Sequence, residues 1–120
     1  MIIEETLIKY LQDANITGVG SNIYAETPRQ VPDTYIVIDK TGSQRTDGID
    51  RATVAIQSIS TESLLKAATL NEEVLKLMEG FRAVENIFGA HLQADYNFTN
   101  TLTKQYRYQA VYEIYYKRLQ

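Results

Sequence analysis

One histidine and a few acids that lie close together in the sequence are the side chains whose types could support chemistry. His91 is alone, which excludes a mechanism that needs two imidazoles, and Gly-x-Ser-x-Gly is absent. Asp47 and Asp50, with Asp39 nearby, could offer oxygen ligands to a hard cation, but a calcium loop has denser, alternating acids around its glycine. An enzyme would need paired titratable groups around His91 or around Asp47 and Asp50. We therefore expect no catalytic residue, no metal site and no enzymatic activity.

Two glycine-bearing segments have a partial likeness to phosphate-binding loops. Gly18-Val-Gly20 begins a dinucleotide fingerprint, but it lacks the third glycine, the preceding strand and the following helix that would place backbone amides around a pyrophosphate. The segment from Thr41 to Thr46 lacks the Gly-Lys-Ser/Thr of a phosphate loop. We therefore expect no bound cofactor.

The composition is that of an ordinary globular protein. The chain has 120 residues, which predicts a single domain over residues 1–120. A net charge of −3 and a pI near 5.1 give no general attraction to nucleic acid or to anionic membranes. Cysteine is absent, and Glu4 and Glu5 stand where a signal peptide carries basic residues. We expect a protein that stays in the cytoplasm and has no membrane partner.

The segment near the C-terminus has the clearest pattern in the chain. Apolar and aromatic residues alternate with polar residues from Tyr106 to Lys117, and a period of two indicates an extended strand with one face on a core and one face in water. The core-facing set is Tyr106, Tyr108, Ala110, Tyr112, Ile114 and Tyr116. We also expect this strand to lie at a sheet edge, where its unpaired backbone groups could pair with a neighbouring subunit.

The other elements follow from hydrophobic periodicity and from glycine and proline positions. Ser60 or Thr61 is expected to cap the second helix, which runs to about Gly80. The predicted segments are a helix over 2–13, a short strand over 23–26, strands over 35–41 and 51–58, the second helix, a less regular strand over about 83–100 and the C-terminal strand. The order α-β-β-β-α-β-β predicts an α+β fold, with a mainly antiparallel sheet and both helices on one face.

The polar segment between the two central strands is the candidate interface. It predicts a long mobile hairpin tip, tightened at Asp47-Gly48, and loops of that length are often functional. Its charged residues could form ion pairs across a subunit boundary, although a solvated loop fits the sequence equally well. The candidate interface residues are Gly42, Ser43, Gln44, Arg45, Thr46, Asp47, Gly48, Asp50 and Arg51.

Nucleic-acid binding is an alternative interpretation of the C-terminal segment. It contains Lys104, Arg107, Lys117 and Arg118 with five tyrosines, and single-strand binders combine basic grooves with aromatic stacking platforms. Most of the tyrosines, however, lie on the face opposite Arg107 and Lys117, in the pattern of a core. Nucleic acid is therefore the disfavoured partner.

Three segments of the chain resemble a group of small proteins from tailed phages and from prophages of Gram-positive bacteria. The first is the hairpin from Tyr35-Ile-Val-Ile-Asp-Lys-Thr-Gly-Ser to Arg51-Ala-Thr-Val-Ala-Ile-Gln-Ser58. The second is the helix Leu64 to Met78 with its Ala-Ala-x-Leu-Asn-Glu-Glu-Val, and the third is the ending from Ala94-Asp-Tyr-Asn-Phe-Thr-Asn to Tyr112. Together they cover most of the chain from about Tyr24.

The group comprises tail-terminator, tail-completion and head–tail joining proteins of phages with long non-contractile tails. The resemblance implies a small α+β subunit of a ring of six copies that caps the tail tube and joins it to the head. The implied partners are a second copy, the tail-tube protein and the head–tail connector protein. The implied location is the tail or neck of the virion, assembled in the host bacterial cytoplasm. Another neck or minor capsid component is the alternative within the same class.

Overall fold

A five-stranded sheet forms the frame of the computed structural model, which describes residues 2–100, 102–103 and 105–117. The elements in chain order are α1 (Ile3–Asp13), β1 (Ile23–Tyr24), β2 (Thr34–Thr46), β3 (Ile49–Ser60), α2 (Leu64–Met78), β4 (Ile87–Asn97) and β5 (Tyr106–Lys117). A short 3-10 turn lies at Phe81–Ala83. The strand order in the sheet is β1-β2-β3-β5-β4; β1 is parallel to β2, and the other neighbours are antiparallel.

Both helices pack on one face of the sheet, as the order of elements predicts. α1 buries every fourth residue, Ile3, Leu7 and Leu11, because that spacing places them on one side of a helix. These side chains join α2 residues and the inward side chains of β2, β3 and β5 in one continuous core. The α+β fold class and the element order are therefore confirmed. The sheet is mixed, because β1 adds one short parallel pairing.

The start of α2 differs from the prediction. The N-cap is Ser63, whose Oγ accepts a hydrogen bond from the Lys66 amide at 3.1 Å, and the helix begins at Leu64. Ser60 still belongs to β3, where it pairs with Thr34. Thr61 does not cap the helix either, because it is held next to Asp33, whose carbonyl oxygen accepts a hydrogen bond from the Thr61 amide at 2.8 Å. Residues 60 and 61 are thus committed to tertiary contacts that the local sequence does not reveal.

The alternation in β5 is confirmed from Ala110 to Tyr116, whereas Tyr106 and Tyr108 of the predicted core-facing set are only half-buried, and the position of β5 in the sheet differs from the expectation. Ala110, Tyr112, Ile114 and Tyr116 are buried on the helix-covered face, while the residues between them are half-buried on the other. β5 lies between β3 and β4, so the expectation of an edge strand is wrong. Because β5 has a strand on each side, β3 and β4, the side chains of those strands shield the polar side chains of β5 from full exposure.

The hairpin between β2 and β3 is regular strand almost to its end, so the expected long mobile tip is also wrong. The pairing continues from Gly42 opposite Thr53 to Thr46 opposite Ile49, and only two residues form the turn. Asp47 and Gly48 have φ values of 50° and 84°, the pair of positive angles that a two-residue type I′ turn requires. The Asp-Gly sequence supplies residues that tolerate this conformation.

The turn allows a matched test of backbone strain. Gly48→Ala should lower the free energy of unfolding by about 1 kcal/mol, because φ at this position is left-handed although the space around it is open. Gly42→Ala is the control, because its surroundings are equally open and its φ lies outside the left-handed region. Urea unfolding followed by far-ultraviolet circular dichroism compares the two. Equal stabilities would contradict the strained turn.

Candidate functional site

The β2–β3 hairpin extends beyond the part of the sheet that the helices and β1 cover. β1 pairs with β2 only at Ile36 and Val37, and β2 is exposed over all eight residues from Asp39 to Thr46. The outer edge of this part of β2 has no strand partner among the described residues. Eight residues of strand therefore present backbone donors and acceptors to solvent, which is the usual template for adding another strand.

The nine predicted interface residues lie together on this hairpin, but several of their charges are paired within the chain. Arg45 Nε lies 3.7 Å from Oδ2 of Asp50, and the Asp50 side chain is buried. Arg51 Nε lies 3.0 Å from Oε1 of Glu113, on β5. These contacts hold the hairpin in the sheet. Since Arg51 already has an acid within its own subunit, an ion pair across a boundary is not needed to satisfy it.

A row of polar contacts crosses four strands on the face that the helices leave open. Arg51 donates to Oε1 of Gln44 on one side and pairs with Glu113 on the other. Tyr115 donates from its hydroxyl to the same Glu113 carboxylate at 3.1 Å, and the His91 ring lies edge-on to Tyr115 with centroids 5.7 Å apart. We call this row, Gln44, Arg51, Glu113, Tyr115 and His91, the polar ladder. It links β2, β3, β5 and β4 and so stiffens the sheet across its width.

His91 is positioned by a glycine. A Cβ added at Gly89 would lie 3.1 Å from Nε2 of His91, so the absence of a side chain at residue 89 makes room for the imidazole above it. The ring then contacts Tyr115, which lies opposite Gly89 in the register of β4 and β5. The contacts of His91 are therefore those of a packing residue on an open sheet face.

The acids considered for metal binding do not come together. Asp39 lies opposite Ala55 in the middle of the hairpin, Asp47 is in the turn, and Asp50 is buried beside Arg45. Within residues 2–100, 102–103 and 105–117 no group of three or more His, Cys, Asp or Glu side chains is arranged to hold an ion. The hairpin acids thus offer structural contacts rather than a shared coordination site.

The Gly18-Val-Gly20 segment forms the turn between α1 and β1. The amides of Val19 and Gly20 both donate to the carbonyl oxygen of Ile16, at 3.1 and 3.0 Å. Because these donors are used inside the turn, they are not free to surround a phosphate. Gly18 also lines a cleft of about 660 Å³ that Pro32 and Leu65 border from the neighbouring connector and helix.

The outer edge of β4 is a feature that the sequence reasoning missed. Among the described strands β4 pairs only with β5, so its other side is open over eleven residues. Residues 87–103 contain no lysine, arginine or proline, the residues that commonly protect an edge strand. Large apolar side chains along this edge are exposed: Phe88 at 57%, Leu92 at 48%, Tyr96 at 39% and Phe98 at 49%. An unprotected edge with exposed aromatic residues indicates a contact surface for protein.

A side-chain hydrogen bond fixes β4 to α2 near the middle of this edge. Asn71 is buried in α2 and donates from Nδ2 to Oδ1 of Asp95 at 2.6 Å. Tyr112 lies beside this pair; its burial raises the pKa of its hydroxyl to about 12, and the charges of Asp95 and Glu79 add to that effect. The Asn71–Asp95 hydrogen bond therefore links β4 to α2 on the helix-covered side, while the outer edge of β4 has no strand partner among the described residues.

Of the basic residues considered for nucleic-acid binding, the two that the structure describes do not form a groove. Arg107 and Lys117 share the open face but stand at opposite ends of β5, about 30 Å apart at the rise of an extended strand. Lys104 and Arg118 lie outside the described residues. No helix in the described part of the chain has the length and apolar character needed to cross a membrane.

Comparison with known proteins gives a fold relationship. Neither a family model nor a curated protein sequence matches this chain. Among solved structures, a chain from the structure described as the virion of a native gene transfer agent (GTA) particle is similar, with a TM-score of 0.63 and 14% identity. The likeness covers 98% of this chain and 87% of that chain. At this identity the match shows a shared fold over nearly the whole domain.

The raised pKa of Tyr112 predicts a loss of stability at high pH. The folded state holds this proton more tightly than the unfolded state, whose tyrosine pKa is about 10. The contribution of Tyr112 to the free energy of unfolding is therefore fully present below about pH 10 and is lost as the pH rises toward 12. We expect a loss of about 2 kcal/mol that Tyr112→Phe does not show. Burial also raises the pKa of Tyr10 and Tyr35, but both proteins share that contribution.

Urea unfolding at about pH 9 and about pH 11.5 measures the difference between the two proteins. Parallel losses of stability in wild type and Tyr112→Phe would show that Tyr112 does not carry this dependence.

Proposed function

We propose that this protein is a structural component of a virion, a tail-terminator or head–tail joining subunit that works without enzymatic activity. The sequence resemblance to tail-completion proteins supports this class. The fold shared with a chain of a gene transfer agent virion is consistent with it, because that chain is part of a virion. Another neck or minor capsid component is the alternative within the same class.

The observation that carries the proposal is the presence of two open edges on opposite sides of one sheet. The exposed part of β2 lies at one side, and β4 lies at the other. When two different surfaces of a subunit meet, the contact is head-to-tail, and it forms a closed ring when the rotation between neighbouring copies closes. A subunit that presents one surface only would instead stop at a two-fold dimer.

The ring subunit would have three kinds of partner. Its own copies, six by analogy with the resembled group, would form the ring. The tail-tube protein and the head–tail connector protein would contact the two ends of that ring. Its place would be the tail or neck of the virion, assembled in the bacterial cytoplasm. The hairpin from Gly42 to Arg51 projects beyond the covered sheet and is the segment we assign to these contacts.

A shortened hairpin tests the proposal. Replacing Arg45–Asp50 by Asn-Gly would close the hairpin on the Gln44–Arg51 pair and keep the Arg51 contact with Glu113. We expect this variant to fold but to remain a monomer. Wild type should show a species near six times the 13.7 kDa of the chain in light scattering across concentration, at low and moderate salt.

Asp47→Asn is the matched control, because it places the same Asn-Gly turn on a hairpin of full length. Assembly by the control and not by the shortened variant would show that hairpin length is needed. If wild type stays monomeric, a pull-down with tail-tube protein is decisive. Absence of both self-assembly and tube binding would contradict the proposed function.

A further inference from the structure

We propose that the open edge of β4 in one copy pairs with the exposed part of β2 in the next copy, so that one sheet continues through the assembly. This inference rests on the proposed function, since it names the contact that joins the subunits of the ring. The occupant of each edge is therefore a second copy of this chain.

The strand directions set the orientation of such a contact. β2, β3, β5 and β4 alternate in direction across the sheet, so β2 and β4 of one copy are antiparallel to each other. A rotation that places the next copy beside the first keeps this relation. The new pair is then antiparallel, and all helices stay on one side of the continuous sheet.

Charge favours pairing between unlike edges. The exposed part of β2, residues 39–46, carries Lys40 and Arg45 against Asp39, whereas β4 carries Asp95 as its one charged residue. Because Arg45 is paired with Asp50 in its own chain, Lys40 is the cation of this stretch that can meet Asp95, whereas two β4 edges would bring no cation to either carboxylate. Lys40 and Asp95 also point to the same face, the one covered by the helices, as their partners Val54 and Ala110 show.

Setting Lys40 opposite Asp95 fixes a register that matches the faces of both strands. β2 has an extra residue between Lys40 and Gly42, and β4 has one between Leu92 and Ala94. With the two irregularities side by side, Gln44 falls opposite His91, and both lie on the open face. The polar ladder of one subunit would then meet the ladder of the next and run on across the boundary.

The contact also explains the composition of the β4 edge. Phe88, Leu92 and Tyr96 are exposed in the single chain, and lysine, arginine and proline are absent from residues 87–103. A neighbouring strand would shield the flanks of these side chains and satisfy the free backbone groups. An edge that is always covered in the assembly needs no protective residues of its own.

Disulfide trapping tests the pairing, because the natural sequence has no cysteine. In the double variant Gln44→Cys with His91→Cys, oxidation should join copies head-to-tail. Denaturing gels should then show a series of bands at multiples of 13.7 kDa that continues beyond the dimer. Each single variant should run as a monomer on the same denaturing gels. The double variant Gln44→Cys with Asn97→Cys is the off-register control, because Asn97 lies about 20 Å from His91 along β4, and it should give no cross-linked bands.

Light scattering on the same samples separates this inference from the proposed function. If light scattering shows the mass of a ring but the Gln44–His91 variant gives no cross-linked bands, the edge pairing is overturned and the ring itself still stands. Dimers from a single-cysteine variant would likewise overturn it, because they indicate contact between like edges. If the samples neither assemble nor cross-link at any concentration, the pairing is overturned, and the tail-tube pull-down then judges the proposed function independently.

Discussion

The uninterrupted pairing of β3 with β5 is the constraint on which the rest of the structure depends. Twelve residues of each strand pair in register, from Ile49 opposite Lys117 to Ser60 opposite Tyr106, without a bulge. α2 packs against the inward side chains of this pair, α1 packs against β1 and β2, and all of them join one core. The β3–β5 pair also supports β2 on one side and β4 on the other. The irregularities lie in β2 and β4, so the central pair stays regular while the outer strands can bend.

Because the two helices pack on one face of the sheet, the other face and the two outer edges are left for other contacts. A small second cluster of Tyr35, Val37 and Ile59 closes one end of the open face. The polar ladder and the hydrogen-bonded side chains of Gln57, Gln109 and Tyr96 lie farther along this face, which no other element of the described chain covers. The domain is therefore well packed on one side and incomplete on the other, as expected of a subunit whose neighbours supply the missing contacts.

Most of the fold could be predicted from local patterns, and the candidate site only in part. The period of two in β5, the period of four in α1 and the Asp-Gly turn each depend on residues close in sequence. The hairpin was recognised as a projecting element, but its polar composition suggested a loop. It is a strand because β3, held by β5, offers a continuous partner as far as Ile49. The β4 edge was missed because a less regular strand gives no sign of which side is unpaired.

The sequence by itself determined the element types, their order and the core-facing side of β5, because alternation and helical spacing are properties of consecutive residues. Only the tertiary structure decided that the tyrosine-rich strand lies inside the sheet and that β4 lies at its edge. Strand order depends on which distant strands share one hydrophobic face under the helices, and no local pattern encodes that choice. The same reason explains why Ser63 rather than Ser60 caps α2: β3 pairing and the contact with Asp33 hold residues 60 and 61 in place.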